Sequence, residues 1–404
     1  MTMTPTSLFP RLRLRAQEDR RLTQGHLWIY SNEVDVAQTP LQGLRAGDQV
    51  LVESHGGKAL GVAFVQPNSL ICGRLFSRQA DQGMDAALLR TRLRRALELR
   101  SRHFSAPWYR WVYGDSDLLP GLVVDRYGDI VVLQINLAGM ENLRQEIVAA
   151  IVDLIQPRGV LYKNDTSSRV AEGLPAYVEL AWGEVPEFIT VQENGCEFLI
   201  DPRRGQKTGW FYDHRPTRQW LMPRIAGARV LDVFSYVGAW SLAAARHGAR
   251  EVLAIDASQP ALDLLQMQAQ QLGVGEKVTT LCADAFAALT DLRQRGEVFD
   301  VVIIDPPAFI KRRKDHKNGL AAYRRLNELA MRLLGRDGLL ISCSCSMHLE
   351  RSELVDILRA ASRHIDRHLQ ILHHGHQGED HPIHPAIAET EYLKAIAARV
   401  LLAD

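Results

Sequence analysis

Three features of the sequence predict an α/β protein built on a mostly parallel sheet, preceded by a small β domain and an α+β segment. From residue 229 onward, short apolar runs alternate with amphipathic stretches at regular spacing, the pattern of strands joined by crossover helices. Four of the five runs close in or near an aspartate (Asp232, Asp256, Asp284, Asp305). Ahead of residue 79 the chain instead shows brief apolar runs separated by Gly and Asp, which suits short strands and tight turns.

The elements follow in order. The front region, residues 9–79, carries HLWIYSNEV, DQVLVES, GVAFVQ and ICGRLF between turns such as GLRAGD and SHGGK. A helix is expected over 84–104, where Leu88, Leu89, Leu93, Leu97 and Leu99 keep near-helical spacing and arginines take the other face. Within a central segment, 84–188, two strands flank VVDRYGD (123–129), a helix covers 141–155 and a strand covers 160–165. The last region, 189–404, has strands at 229–234, 251–256, 277–284, 299–305 and 338–346. Helices fit between them at SLAAARH, QPALDLLQMQAQQ, FAALTDLRQ and YRRLNELAMRLL.

The chain has 404 residues, 46% hydrophobic and 24% charged, room for two or three ordinary globular domains. No apolar run nears the roughly 20 residues of a membrane-spanning helix, so neither membrane insertion nor secretion is expected. Five cysteines, at 72, 196, 282, 343 and 345, make no paired framework; free thiols fit a reducing cytoplasm. The net charge of +1 gives no general affinity for polyanions, although residues 1–104 hold 15 Lys and Arg against 9 Asp and Glu. A basic front end on an acidic body is compatible with a nucleic-acid partner without demanding one.

Ligands of parallel α/β sheets bind beyond the carboxyl ends of the strands. An aspartate there can be no more than a helix N-cap, but four at one edge would bring several carboxylates to a common crevice. The first strand-to-helix turn, DVFSYVGAW, has Gly238 alone and lacks the glycine-rich pyrophosphate cradle. A nucleoside ligand without phosphates needs less, with Asp256 on the ribose hydroxyls and Asp284 on the adenine amino group. S-adenosylmethionine fits this better than NAD or a nucleotide sugar. In IIDPPAFIKRRKDHKN the two prolines, Pro306 and Pro307, stiffen the turn after Asp305. The basic stretch 311–317 follows, suited to substrate phosphates. The fifth strand ends in SCSCS, placing Cys345 at the same edge, and a thiolate there could attack an electrophilic pyrimidine C6.

These segments together resemble the bacterial 23S ribosomal RNA (cytosine-C5) methyltransferases. Similar stretches are RRLTQGHLWIYSNEV at the front, YGDSDLLPGLVVDRYGD in the middle, then GQKTGWFYDHRPTR, LDVFSYVGAW, DPPAF and the SCS strand end. The resemblance implies an N-terminal PUA domain for RNA binding over 9–79, a central α+β domain over 84–188 and a Rossmann-like methyltransferase domain over 189–404. It implies Cys345 as nucleophile and Asp305 as the group engaging the cytosine near N3. S-adenosylmethionine is expected at Asp232, Phe234, Tyr236, Gly238, Asp256, Asp284 and Asp305. Substrate contacts are expected from Gln206, Lys207, Tyr212, Arg215, Pro306 and Pro307, with Phe211 and Asp213 lining the same crevice.

The expected partners are 23S rRNA or a large-subunit precursor, with a homodimer as a further candidate; no membrane and no metal are expected. The fourth-strand motif carries no second cysteine, a departure from other RNA cytosine-C5 enzymes that leaves the product-release group unassigned. Cys343 is expected to be a core residue. His373, His374, His376, His381 and His384 lack zinc-type spacing and are expected in a solvated or site-flanking loop, with His381, in the DHP element, able to contact substrate. Two alternatives stay open: methylation of an exocyclic amine (adenine N6 or guanine N2), which needs no thiol, and a non-catalytic PUA-type RNA-binding protein.

Overall fold

Burial of two kinds of apolar surface, the faces of short antiparallel sheets and both faces of a parallel one, divides the chain into two units in this computed structural model, which describes residues 8–403. The first unit comprises Met1–Ile189, Asp201–Trp210 and Glu379–Thr390; the second comprises Thr190–Ile200, Phe211–Gly378 and Glu391–Asp404.

The first unit holds two five-stranded sheets. One is formed by β1 (Arg11–Arg13), β2 (Trp28–Tyr30), β3 (Gln49–Glu53), β4 (Ala59–Val65) and β5 (Ile71–Ser77), in the order β1-β3-β4-β5-β2. Its buried face packs Leu12, Ile29, Val50, Val52, Val65 and Leu75, and Ile387 from the returning segment joins them. The other contains β6 (Trp108–Tyr113), β7 (Leu122–Tyr127), β8 (Ile130–Ile135), β9 (Gly159–Asn164) and β10 (Tyr177–Gly183), in the order β10-β9-β8-β7-β6.

The arginine-rich helix Ala86–His103 buries Leu89, Leu93 and Ala96 and is N-capped by Asp85, whose side chain accepts the Leu88 amide. Two of its arginines are buried as well. Arg100 reaches both oxygens of Asp117 at 2.6 and 2.8 Å, and Arg92 bonds the main-chain carbonyls of Leu118 and Phe76. The predicted 141–155 helix is interrupted, a short turn of helix at Ala138–Glu141 giving way to Arg144–Ile155.

In the second unit a hairpin, β11 (Ile189–Glu193) and β12 (Cys196–Ile200), precedes a seven-stranded sheet. The sheet contains β13 (Arg229–Val233), β14 (Glu251–Asp256), β15 (Val278–Cys282), β16 (Phe299–Ile304), β17 (Leu334–Ser344), β18 (Arg367–Gly375) and β19 (Lys394–Leu402), ordered β15-β14-β13-β16-β17-β19-β18. The first five are parallel, as the alternating pattern predicts, while β19 runs antiparallel between β17 and β18. Helices 239–246, 259–271, 285–294, 316–332 and 351–364 follow successive parallel strands. Strand β19 is nearly all buried (Ala395–Ala398 at 0% exposure), and an apolar run of that length suits a central strand. Among the described residues no helix is long and apolar enough to cross a membrane.

The histidine-rich segment departs from the expected loop. His373 and His374 lie on β18, and the His373 ring stacks on Trp220 at 4.8 Å. Asp380 and His381 are buried in the first unit, where His381 Nδ1 lies 2.8 Å from the Asp380 carboxylate. Arg100 donates to the Asp380 carbonyl at 2.8 Å. A loop can be buried only where its polar groups find such partners.

Candidate functional site

The turn after β13 is the most strained backbone at the carboxyl edge of the large sheet. Phe234, Tyr236 and Gly238 all have positive φ, at 68°, 51° and 90°, a region costly for residues with a Cβ. Neighbouring groups hold it there. The amides of Phe234 and Ser235 both donate to the Ile255 carbonyl at 2.8 and 3.0 Å, and the Tyr236 amide donates to Asp256 Oδ2 at 2.9 Å. Asp256 Oδ1 accepts the Ser258 amide at 2.8 Å. Gly238 has no substitute, since a Cβ there would lie 2.7 Å from Leu265 Cγ.

Asp232 lies inside β13 rather than at its end, fully buried, with Oδ2 accepting from Ser241 Oγ at 2.6 Å. Its Oδ1 is buried without a hydrogen-bond partner. Burial, reinforced by the nearby charges of Asp305 and Asp256, pushes its carboxyl up to about 7. Asp284 is exposed and caps helix 285–294 through the Ala287 amide at 2.9 Å, the structural role open to any strand-end aspartate.

After β16, Asp305 Oδ1 lies 3.1 Å from His214 Nε2, and Oδ2 accepts from Trp240 Nε1 at 3.5 Å. His214 is buried, and burial disfavours the imidazolium. The Asp305 charge and hydrogen bond outweigh that, with Asp213 adding to them, and hold His214 above its ordinary value. Asp213 accepts from the Tyr392 hydroxyl and from the His214 amide. Behind this pair, Arg218 and Glu193 form a buried two-point ion pair at 2.5 and 3.0 Å. Arg218 also donates to the Phe211 carbonyl at 2.7 Å. Arg215 shares Glu193 at 3.4 Å and covers the Tyr212 ring at 4.8 Å. The Phe211 and Tyr236 rings meet edge-on at 5.7 Å.

Strand β17 stops at Ser344, so Cys345 stands in the turn beyond it, half-buried. Its Sγ lies 3.9 Å from the Pro306 carbonyl oxygen of the DPP turn. Ser344 and Ser346 on either side are tied to the Tyr323 hydroxyl at 2.8 and 2.9 Å, which fixes the backbone that carries the thiol. Lys394, opposite Ser344 at the start of β19, donates from Nζ to the Ser346 carbonyl at 2.7 Å. It is buried, which lowers its amine to about 8 despite an opposing pull from Cys345. Cys343 is fully buried, and burial raises its thiol well above the ordinary range; it shares a cluster with His214 and Asp305, their ligand atoms all within 4.8 Å of one another.

Asp232, Asp256, Asp305, Phe234, Tyr236, Gly238, Tyr212, Arg215, Pro306, Pro307 and Cys345 thus all belong to the second unit, and Gln206 and Lys207 to the first. Sequence reasoning passed over His214, although its neighbours in YDHRP were singled out. Lys394 was passed over too. The signal for it was a lysine opening the apolar run LKAIAARV in a chain with 40 Arg and 8 Lys.

The chain has known relatives in both sequence and fold. A profile for S-adenosylmethionine-dependent methyltransferases matches residues 174–399, and one for the PUA-like domain matches 12–78. The chain is 33% identical to ribosomal RNA large subunit methyltransferase I of Klebsiella pneumoniae (strain 342) over 405 residues, covering 98% of this chain and 99% of that one. It is 33% identical to the protein of the same name from Shewanella frigidimarina, over 96% of this chain and 99% of that one. A solved SAM-dependent methyltransferase from Streptococcus mutans superposes with a TM-score of 0.82 at 22% identity, covering 96% of this chain and all of that one. That likeness is one of fold.

The His214–Asp305 pair yields a direct expectation. Because the folded-state value lies above the ordinary 6.5, the pair's contribution to stability is full below that pH and is lost as pH rises through the folded midpoint. NMR titration should place the His214 midpoint above 6.5; in Asp305→Asn, with only Asp213 left to oppose burial, it should fall. A midpoint unmoved by that substitution would remove Asp305 as the cause.

Proposed function

Because the chain belongs to the S-adenosylmethionine-dependent methyltransferase family that includes ribosomal RNA large subunit methyltransferase I, we propose that it methylates C5 of a cytosine in 23S rRNA, in the cytoplasm, through a covalent bond from Cys345 to C6. The observation that carries this reading is the thiol of Cys345 standing 3.9 Å from the Pro306 carbonyl, beside the aspartate that His214 and Trp240 hold.

The residues at the strand ends fit the cofactor. Asp232 carries an unpartnered buried oxygen and a carboxyl that burial holds near 7, and a cation brought beside it would restore its charge. Asp256 spends one lone pair of each oxygen on backbone amides and keeps acceptor capacity for ribose hydroxyls. Bound there, S-adenosylmethionine supplies a cationic sulfonium and an electrophilic methyl group.

The protein's own residues account for the remaining chemistry. The Cys345 thiolate adds to C6 of a cytosine turned out of its stack, and electron density moves to C5 and N3. Asp305, fixed by His214 and Trp240, engages the ring at N3, passing on the proton it shares with His214 as charge builds there and taking it back when the thiolate leaves. Once C5 is methylated, loss of its proton restores the double bond and expels the thiolate. The buried Lys394 ammonium favours the thiolate form at both ends of this cycle. Tyr212 and Arg215 line the substrate side.

Nucleoside analysis of unmodified 23S rRNA incubated with methyl-labelled cofactor should find the label in 5-methylcytidine. Cys345→Ala should lose at least about a hundredfold in rate. Label in a methylated purine, or full activity without the thiol, would move the chemistry to the exocyclic-amine class.

Cofactor affinity, measured by calorimetry, should fall as pH drops through about 7 and Asp232 takes up its proton. Asp232→Asn should bind weakly at every pH and lose that dependence. A wild-type affinity flat across this range would take Asp232 out of the cofactor site.

The rate of Cys345 alkylation by iodoacetamide, followed by peptide mass, should rise with pH through a midpoint that Lys394→Met moves upward and Lys394→Arg preserves. An unmoved midpoint in Lys394→Met would confine Lys394 to bonding the main chain.

A further inference from the structure

The first unit carries a cavity of about 640 Å³ whose wall includes Arg21, Gln24, His26, Arg78, His384 and Ala386. Two distant stretches of chain build it. One lies within the PUA-like match at 12–78. The other lies in the segment Glu379–Thr390, which leaves the large sheet after β18 and returns at β19. The stretches meet at Gly25, where a Cβ would lie 3.6 Å from that of Ala386.

The wall is rich in groups that can only donate. The Trp28 amide donates to His26 Nδ1 at 3.0 Å, and the Ala386 amide to His384 Nδ1 at 3.3 Å. A ring nitrogen that accepts carries no hydrogen, so in both imidazoles the proton is on Nε2. Arg21 Nη1 lies 3.5 Å from His26 Nε2, which leaves two donors facing each other with no acceptor between them. The other nitrogens of Arg21 are engaged by Glu33. Arg78 bonds the Leu22 carbonyl at 3.1 Å and pairs with no carboxylate among the described residues. Both imidazoles are held below their ordinary value by burial first; Arg21 adds to this for His26 against Glu389 and Glu33, and for His384 Asp115 opposes it while Arg78 adds to it.

We propose that this cavity is an anion site that receives a backbone phosphodiester of the RNA, apart from the residues that transfer the methyl group. The proposal rests on RNA being the substrate. Phosphate oxygens supply the missing acceptor between Arg21 and His26, and meet Arg78 and His384 across the cavity. Such a contact sets register and orientation without reading sequence. The bound charge favours both imidazolium forms, so binding takes up protons near neutral pH and tightens as pH falls.

The test is filter binding of unmodified 23S rRNA transcript to full-length Cys345→Ala protein, across KCl concentrations and at pH 6 and 8. Adding Arg78→Gln and His384→Gln should weaken binding at least about threefold. It should also make the slope of log K against log salt shallower by about one and reduce the preference for pH 6 to what His26 alone supplies. Unchanged affinity, slope and pH preference would overturn the proposal. Should the double variant fail to fold, Ala386→Glu, which adds a carboxylate to the wall and removes no bond, should produce the same loss; normal binding by it would overturn the proposal equally. In NMR titrations RNA should raise the His26 and His384 midpoints. If inorganic phosphate at equal phosphate concentration raises them as far, the cavity is a small-anion site and the RNA assignment fails. Absence of 5-methylcytidine from RNA treated with the protein that keeps Cys345, with this binding intact, would instead count against the methyl-transfer reading.

Discussion

Like charge crowded at one sheet edge is the constraint on which the second unit is organised. Parallel strands β13, β14 and β16 bring Asp232, Asp256 and Asp305 close enough that the charges of the latter two raise the first. Each carboxylate is accommodated differently. Asp256 is hydrogen-bonded by two backbone amides and in return pins a turn with three positive φ angles. Asp305 is paired with a buried imidazole. Asp232, with one serine hydroxyl as its partner, is left with no cation and retreats toward its neutral form. Three identical side chains thereby acquire three different chemical characters from their surroundings.

The same edge shows how supporting residues far apart in sequence converge. Glu193, on the hairpin ahead of the large sheet, holds Arg218 and Arg215, and these lie on the helix that follows His214. The imidazole that orients Asp305 is therefore anchored through its own helix. On the other side of the DPP turn, the Tyr323 hydroxyl ties down Ser344 and Ser346, leaving Cys345 between two fixed backbone positions. Rigid support of this kind holds the side chain it flanks in one place.

Much of this was legible in the sequence because strand periodicity and turn chemistry act locally. Strand 251–256 and helix 259–271 fall where the apolar pattern places them. What stayed hidden depended on the tertiary environment. Asp284 and Asp232 look alike in sequence, yet one is an exposed cap and the other a buried carboxyl, because β15 is an edge strand and β13 a central one. Strand β18 alternates exposed and half-buried residues and was obscured by the histidine-rich run that it begins. Lys394 acquires meaning only through its antiparallel register with Ser344, a pairing between strands fifty residues apart that no local pattern encodes.

That register carries a consequence for how the protein comes into being. Strand β19 is the last of the sheet to be synthesised, yet it fills an interior slot between β17 and β18. Until it inserts, β17 keeps an open hydrogen-bonding edge, and the main chain beside Cys345 lacks its lysine. A nascent chain can therefore form its first unit's sheets and the parallel strands early, but the surroundings of the Cys345 thiol are completed only once β19 has paired with β17. The setting of Cys345 is thus among the last parts of the second unit to be finished.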